Sequence, residues 1–284
     1  MKQGNYIDLI IVTSIVIIIA WYLIQSIIRM LCNSGNNICN SQNYKGKVIP
    51  VIGGIVFIPV QLAAVLQLTM QRPEHAYGYL SYMFLLLSMG FVGVIDDLAG
   101  DRRIKGLINH VRSTLNNNMT TGFLKALIGF MAASIISLRT TASFAELIVN
   151  VLIITLYANT INLFDMRPGR AVKVFLTMGI ILLFSAEGKV AEALPLIVLI
   201  LTALIYISYD LREICMLGDT GANILGITLG YYSSIFLNNN SKLFLLAILI
   251  LLNILSEKKS ITAYIKKSKI LTFIDSLGRE QADN

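Results

Sequence analysis

Residues 90–100 read GFVGVIDDLAG, an apolar run that stops at two adjacent carboxylates, Asp96 and Asp97. A charge at mid-bilayer depth costs roughly 2.5–3.5 kcal/mol on insertion scales, so a pair of acids belongs at the edge of a membrane span or at a place of use. Whether the run before them crosses a bilayer decides the fold.

The whole chain answers that question. Its 284 residues are 56% hydrophobic and only 14% charged, with a mean hydropathy of +0.72, a balance that cannot be wrapped into a soluble globule with an ordinary surface. Segments near the ~20 apolar residues needed to cross a bilayer occur at 7–28, 48–69, 78–95, 121–138, 144–163, 171–186, 190–209, 222–237 and 242–255. The sequence therefore predicts an all-α polytopic integral membrane bundle of about nine transmembrane helices. It forms one domain over residues 1–284, with a basic tail at 256–284. The first segment is too long for a signal-peptide core, has Asp8 at its front and lacks a small-x-small cleavage site, so it reads as a retained helix.

Nine crossings put the termini on opposite sides, and the basic residues choose between them. If the connections after helices 1, 3, 5, 7 and 9 face the cytoplasm, 18 of the 23 Lys and Arg residues lie on that side, leaving only Lys2, Arg72, Arg139, Lys189 and Lys242 on the other. The amino terminus is expected outside and the carboxyl terminus on the cytoplasmic side. The formal net charge of +7 then belongs to one face, where it attracts anionic membrane lipid. Nucleic acid is not an expected partner, because no soluble domain presents a groove. Cys32, Cys39 and Cys215 all fall on the cytoplasmic side, an odd count that argues against a disulfide framework and matches no metal motif.

With this topology the polar residues stop being scattered. Asp96 and Asp97 end helix 3, Asn159, Asn162 and Asp165 in YANTINLFDMRPGR end helix 5, and Asp219 in MLGDTGANILG precedes helix 8. Each has a plain structural reading. Asp219 before Thr-Gly is a natural N-cap, Asn159 and Asn162 at helical spacing suit interhelical hydrogen bonds, and Asp96 and Asp97 near Arg102, Arg103 and Lys105 suit a solvated ionic rim. Their co-location at one membrane edge favours use instead. Carboxylates converging in a cleft invite a divalent cation, and acids, a hard cation and many nearby Lys and Arg together suit phosphoryl transfer. Gly218, Gly221 and Gly226 surround one of these acids, and Gly53 and Gly54 in VIPVIGGIVF lie on the same face, where a backbone can approach a ligand or neighbour closely.

These motifs resemble those of the polyprenyl-phosphate sugar-1-phosphate transferases, a superfamily that includes the phospho-N-acetylmuramoyl-pentapeptide translocases. VIPVIGG is similar to the family's Pro-Thr-x-Gly-Gly opening, GVIDDLAGD to its Asp-Asp motif, NTINLFD to its Asn-x-x-Asn-x-x-Asp motif and GDTGANILG to its Gly-Asp-x-Gly-Ser block, in order and over most of the chain. The resemblance implies a magnesium-dependent enzyme that moves a sugar-phosphate from a UDP-sugar to undecaprenyl phosphate, releases UMP, and acts at the cytoplasmic face, as a homodimer, in cell-wall or surface-polymer synthesis. It implies Asp219 and Asp165 as metal ligands, and Asp96 and Asp97 as the pair that engages or deprotonates the lipid phosphate. Asn159, Asn162, Gly53, Gly54 and Lys105 are expected to line the substrate.

Three departures accompany the match. Pro168 stands where the family carries a second Asp in this stretch, with Arg167 and Arg170 added around it. The family's histidine-rich loop is replaced by SEKKSITAYIKKSK, the only histidines being His75 and His110. The tenth helix of bacterial relatives is expected to be missing. Arg167 and Arg170 in RPGRAVK are expected to bind phosphate through a tight Pro168-Gly169 turn. The alternative is a catalytically impaired member acting as a binding or scaffold subunit in envelope assembly.

Overall fold

The computed structural model describes residues 4–33, 39–100, 113 and 119–279. Nine long helices account for most of them: α1 (Gly4–Asn33), α2 (Phe57–Gln71), α3 (Ala76–Ala99), α4 (Thr121–Thr140), α5 (Phe144–Phe164), α6 (Arg170–Phe184), α7 (Leu194–Leu211), α8 (Gly218–Phe236) and α9 (Asn239–Lys258). Two short helices follow, α10 (Ile261–Ile265) and α11 (Lys269–Ser276). Strands β1 (Asn40–Gln42) and β2 (Val48–Pro50) form a small antiparallel hairpin with Asn40 opposite Pro50 and Gln42 opposite Val48.

Among the described residues, seven of the nine long helices are long and apolar enough to cross a membrane. The two that are not explain how the bundle is built. Helix α6, with 15 residues, rises about 22 Å at 1.5 Å per residue, short of the ~30 Å hydrocarbon core. Helix α8 carries Asp219, Thr220, Asn223, Thr228, Ser233 and Ser234, and all its residues except Asp219, Ser234 and Ile235 are buried. It is the axis of the molecule, wrapped by α3, α5, α6 and the turn before α2, while α9 packs on α5 from outside. A helix enclosed by protein can carry polar side chains where a neighbour answers them: the Thr228 hydroxyl bonds Tyr82 at 3.2 Å and the Ile224 carbonyl at 2.7 Å.

Close packing around α8 depends on small residues. A Cβ added at Gly226 would press on Ala158 and one at Gly230 on Ile154, both in α5, so a G-x-x-x-G step faces α5 directly. Gly93 of α3 meets Thr220 in the same way.

The expected second helix, 48–69, is corrected at its start. Residues 48–50 are strand β2, Gly53–Val56 is a single 3-10 turn, and α2 begins only at Phe57. Pro50 sits opposite Asn40 at the end of the hairpin ladder. Gly53 and Gly54 then donate their N–H groups to the Met216 and Leu217 carbonyls, both at 2.9 Å, and these tertiary bonds stand where a helix would place intrahelical ones.

Candidate functional site

The ends of α3, α5 and α7 meet the starts of α4, α6 and α8 at one end of the bundle, and the site grows from the exposed amides at the start of α8. A helix leaves its first N–H groups without intrahelical partners and gathers partial positive charge there. Leu217, just before α8, offers no capping side chain. Other helices supply the acceptors instead. Asp97 takes the N–H of Asp219 at 2.8 Å and that of Thr220 at 2.9 Å, and the Thr220 hydroxyl at 2.6 Å. Asp165, just past α5, accepts the Gly218 N–H. Two carboxylates from different helices thus clamp one helix end. Gly218 is required there because its φ is +72° and a Cβ would strike the Val51 carbonyl and Asp97.

The same construction turns Asp219 away from capping its own helix. Its carboxylate receives the Lys125 ammonium of α4 at 2.6 Å and meets Asp96 and Asn162. The Lys125 side chain is 11% exposed and that of Asp219 29%, so the pair is mostly withdrawn from water yet open on the acid's side. Asp96, Asp97, Asn162 and Asp165 are half-buried around it. The structure therefore brings Asp96, Asp97, Asp165, Asp219 and Asn162 together in one place. Lys125 completes the group and is absent from the motif-based expectation. The available signal was a lysine one turn inside an apolar helix, a costly position that calls for a partner.

Other expected residues are placed elsewhere. Asn159, one step around α5 from Asn162, turns away and donates to Asn253 of α9, whose amide in turn donates to Thr160 at 2.9 Å. Asn162 follows Asn159 by only three positions, and here that step separates the carboxylate cluster from a helix–helix seam. Gly53 and Gly54 are buried against the α8 approach, where a Cβ on Gly53 would meet Tyr206 and Met216 and one on Gly54 would overlap Gly221. They pack backbone on backbone and present no surface to the cleft. Lys105 lies outside the described residues.

Arg167 and Arg170 diverge as well. Arg167 stacks on Tyr44, 4.1 Å from the ring centroid. Tyr44 and Asn43 donate to Glu213 at 3.1 and 2.8 Å, and Lys45 pairs with it at 2.7 Å, so the hairpin is tied down on the α7–α8 connection. Burial tends to raise the Glu213 carboxyl, but Lys45, Tyr44 and Asn43 together hold it below its usual range. Arg170 is buried, and its guanidinium grips Asp275 of α11 with two bonds, 2.7 and 2.8 Å, and donates to Thr262 at 2.8 Å. The expected turn at Pro168-Gly169 is present, with Gly169 at φ +73° and its N–H held by the buried Asp210 carboxylate at 2.8 Å. What it presents is one arginine on a tyrosine and one on the tail, rather than two guanidinium groups side by side.

Replacing Arg170 by Ala leaves Asp275 with Arg279 alone. The expected result in limited trypsinolysis is several-fold faster cleavage at Lys266, Lys267 and Lys269 than in an Arg139→Ala control at the far end of α4. Equal rates would show that the clamp does not hold the tail.

Chemically, the cluster is a set of hard oxygen donors with one buried cation, suited to holding a phosphate-bearing substrate through a divalent ion. Among the described residues no three His, Cys, Asp or Glu side chains stand ready as a metal cage.

A polytopic helical bundle with acids from three helices clasped at one membrane edge is the arrangement expected from the resemblance to the polyprenyl-phosphate sugar-1-phosphate transferases, and sequence comparison finds a similar protein of that kind. Over 232 residues the chain is 28% identical to the phospho-N-acetylmuramoyl-pentapeptide-transferase of Fervidobacterium nodosum, a match covering 81% of this chain and 72% of that protein. No family model matches the sequence.

Proposed function

We propose that the carboxylate end of the bundle faces the cytoplasm of a bacterial cell and transfers a sugar-1-phosphate from a UDP-amino sugar to undecaprenyl phosphate, releasing UMP, for a cell-wall or surface polymer. The observation that carries this reading is the junction of Asp96, Asp97, Asp165 and Asp219 with Asn162 and Lys125 at the start of α8. The relative's name, which denotes transfer of a phospho-sugar peptide, agrees with it.

In this reaction an oxygen of the lipid phosphate attacks the sugar-bearing phosphorus of the diphosphate. The bond from that phosphorus to the bridging oxygen breaks, and UMP carries the bridging oxygen away. Positioning and charge neutralisation supply most of the catalysis. Asp219 and Asp165 would hold Mg²⁺, which supplies charge to the diphosphate when bound. Asp97 has both oxygens engaged by α8 amides, so its part is to hold Asp219 and Thr220 in place. Asp96 takes no α8 amide and meets Asp219 and Thr121. On this reading it faces the incoming lipid phosphate and accepts its proton if it arrives as a monoanion. Lys125 places positive charge where the pentavalent phosphorus gathers negative charge, and Asn162 orients the nucleotide-sugar. Arg167, half-exposed on Tyr44, stands at the hairpin side of the entrance for the diphosphate. By the same resemblance the working unit is a homodimer.

Purified protein in detergent, given undecaprenyl phosphate, magnesium and a panel of UDP-amino sugars including UDP-N-acetylglucosamine, is expected to release UMP, and chelation is expected to stop it. Binding of a UDP-sugar without metal-dependent UMP release would replace the catalytic reading with that of a scaffold subunit.

A further inference from the structure

The polypeptide leaves α9, a membrane-crossing helix ending at Lys258, and within residues 259–268 turns back to lay α11 against the start of α6. The inner edge of α11 is bound to that turn. Asp275 holds Arg170 and Arg279, and Arg279 donates to the Pro168 carbonyl at 2.8 Å. The Lys173 ammonium donates to the carbonyls of Ile274, Asp275 and Leu277 at 3.1, 3.0 and 2.6 Å, which satisfies the end of the helix as a C-terminal cation does. Burial alone raises the Asp275 carboxyl, but the two guanidinium groups hold it at about 2.

The outer face is the opposite in character. Ile270, Phe273, Ile274 and Leu277 follow helical i, i+3, i+4, i+7 spacing and are 72, 64, 48 and 47% exposed. Lys258, Lys259, Lys266, Lys267 and Lys269 stand exposed along the same segment. An apolar stripe flanked by lysines, starting where a membrane helix ends, has the chemistry of an interfacial helix. A protein partner is a poorer match, because interface cores are depleted of lysine.

We propose that α11 is an interfacial anchor whose Ile270–Phe273–Ile274–Leu277 face lies at the headgroup–acyl boundary of the leaflet on the carboxylate side, with the lysines on anionic lipid headgroups. The helix then has two attachments, one to lipid and one to the turn at 166–170, and the second is held through Arg170, Lys173 and Arg279. The turn that follows Asp165 is thereby fixed at headgroup depth.

The test uses the full chain with Phe273→Cys in a Cys32→Ser, Cys39→Ser background, labelled with an environment-sensitive fluorophore and reconstituted in lipid nanodiscs. In discs containing phosphatidylglycerol the label is expected to shift to the blue, to be quenched by lipids spin-labelled near the headgroup, and to resist iodide. In phosphatidylcholine alone, or with Lys266, Lys267 and Lys269 changed to Gln, the lipid quenching is expected to fall several-fold. A label at position 270 (Ile270→Cys) repeats the reading should the first variant misfold. Equal iodide access in both lipids would overturn the proposal. So would protection that appears only when two copies share a disc, which would assign the face to a second copy of this chain.

Discussion

Changing Asp219 to Asn is expected to abolish metal-dependent UMP release, a loss on the order of 10³-fold or more, as when a group that stabilises transition-state charge is removed. The amide keeps the shape of the side chain and removes its charge. Two consequences follow from the geometry. On the proposed function the bound cation would lose a ligand, and Lys125, 2.6 Å from the carboxylate and 11% exposed, is left as a charge without its partner. Removing one member of a buried pair costs about 3–5 kcal/mol, so a fall in melting temperature in detergent is expected alongside the lost activity. The double variant Asp219→Asn, Lys125→Met separates the two effects. It is expected to regain much of the stability and none of the activity. A single variant that retains UMP release would remove Asp219 from the reaction.

Asp97 to Ala is the second large effect, and it differs in kind. Asp97 binds two α8 amides and one hydroxyl, so its loss uncovers a helix end and releases the residue that carries Asp219. Loss of a helix cap costs about 0.5–2 kcal/mol, and hydrogen bonds to a charged group about 1.5–3 kcal/mol each, so destabilisation of several kcal/mol is expected. Activity is expected to fall by roughly 10²-fold or more through misplacement of Asp219. Asp97→Asn, whose side-chain oxygen still accepts from one amide, is expected to recover part of the stability and part of the rate. Asp96→Asn, by contrast, is expected to lower the rate with little change in melting temperature. If Asp97→Asn and Asp97→Ala melt alike while both are inactive, Asp97 acts on substrate directly and the clamp is incidental.

The motifs picked out the carboxylates that the fold gathers around the start of α8, because acids at membrane edges are expensive and therefore visible. Asp96, Asp97, Asp165 and Asp219 stood out one by one against an apolar background, and helix sidedness brought them to one end. The same reasoning failed where a motif residue had a packing partner that spacing does not reveal. Gly53 and Gly54 read as ligand-facing, yet they serve contact with Gly221 and Met216. Asn159 read with Asn162, yet it turned toward Asn253. Arg170 read as a phosphate ligand, yet its acceptor, Asp275, lies 105 residues further along the chain.

Composition and the placement of charge were enough to establish a polytopic helical membrane bundle, although among the described residues seven helices, not the nine expected, are long and apolar enough to cross a membrane. Those are one-dimensional properties, since the length of an apolar run and the side on which lysines fall follow from transfer energies residue by residue. Only the tertiary structure decided that α8 is enclosed rather than lipid-facing, that Asp97 and Asp165 cap a helix not their own, that Lys125 neutralises Asp219, and that the tail returns to Arg170. Each of these is a pairing between residues far apart in sequence. Such a pairing is set by which helix faces pack closely enough to touch, and no single segment carries that information.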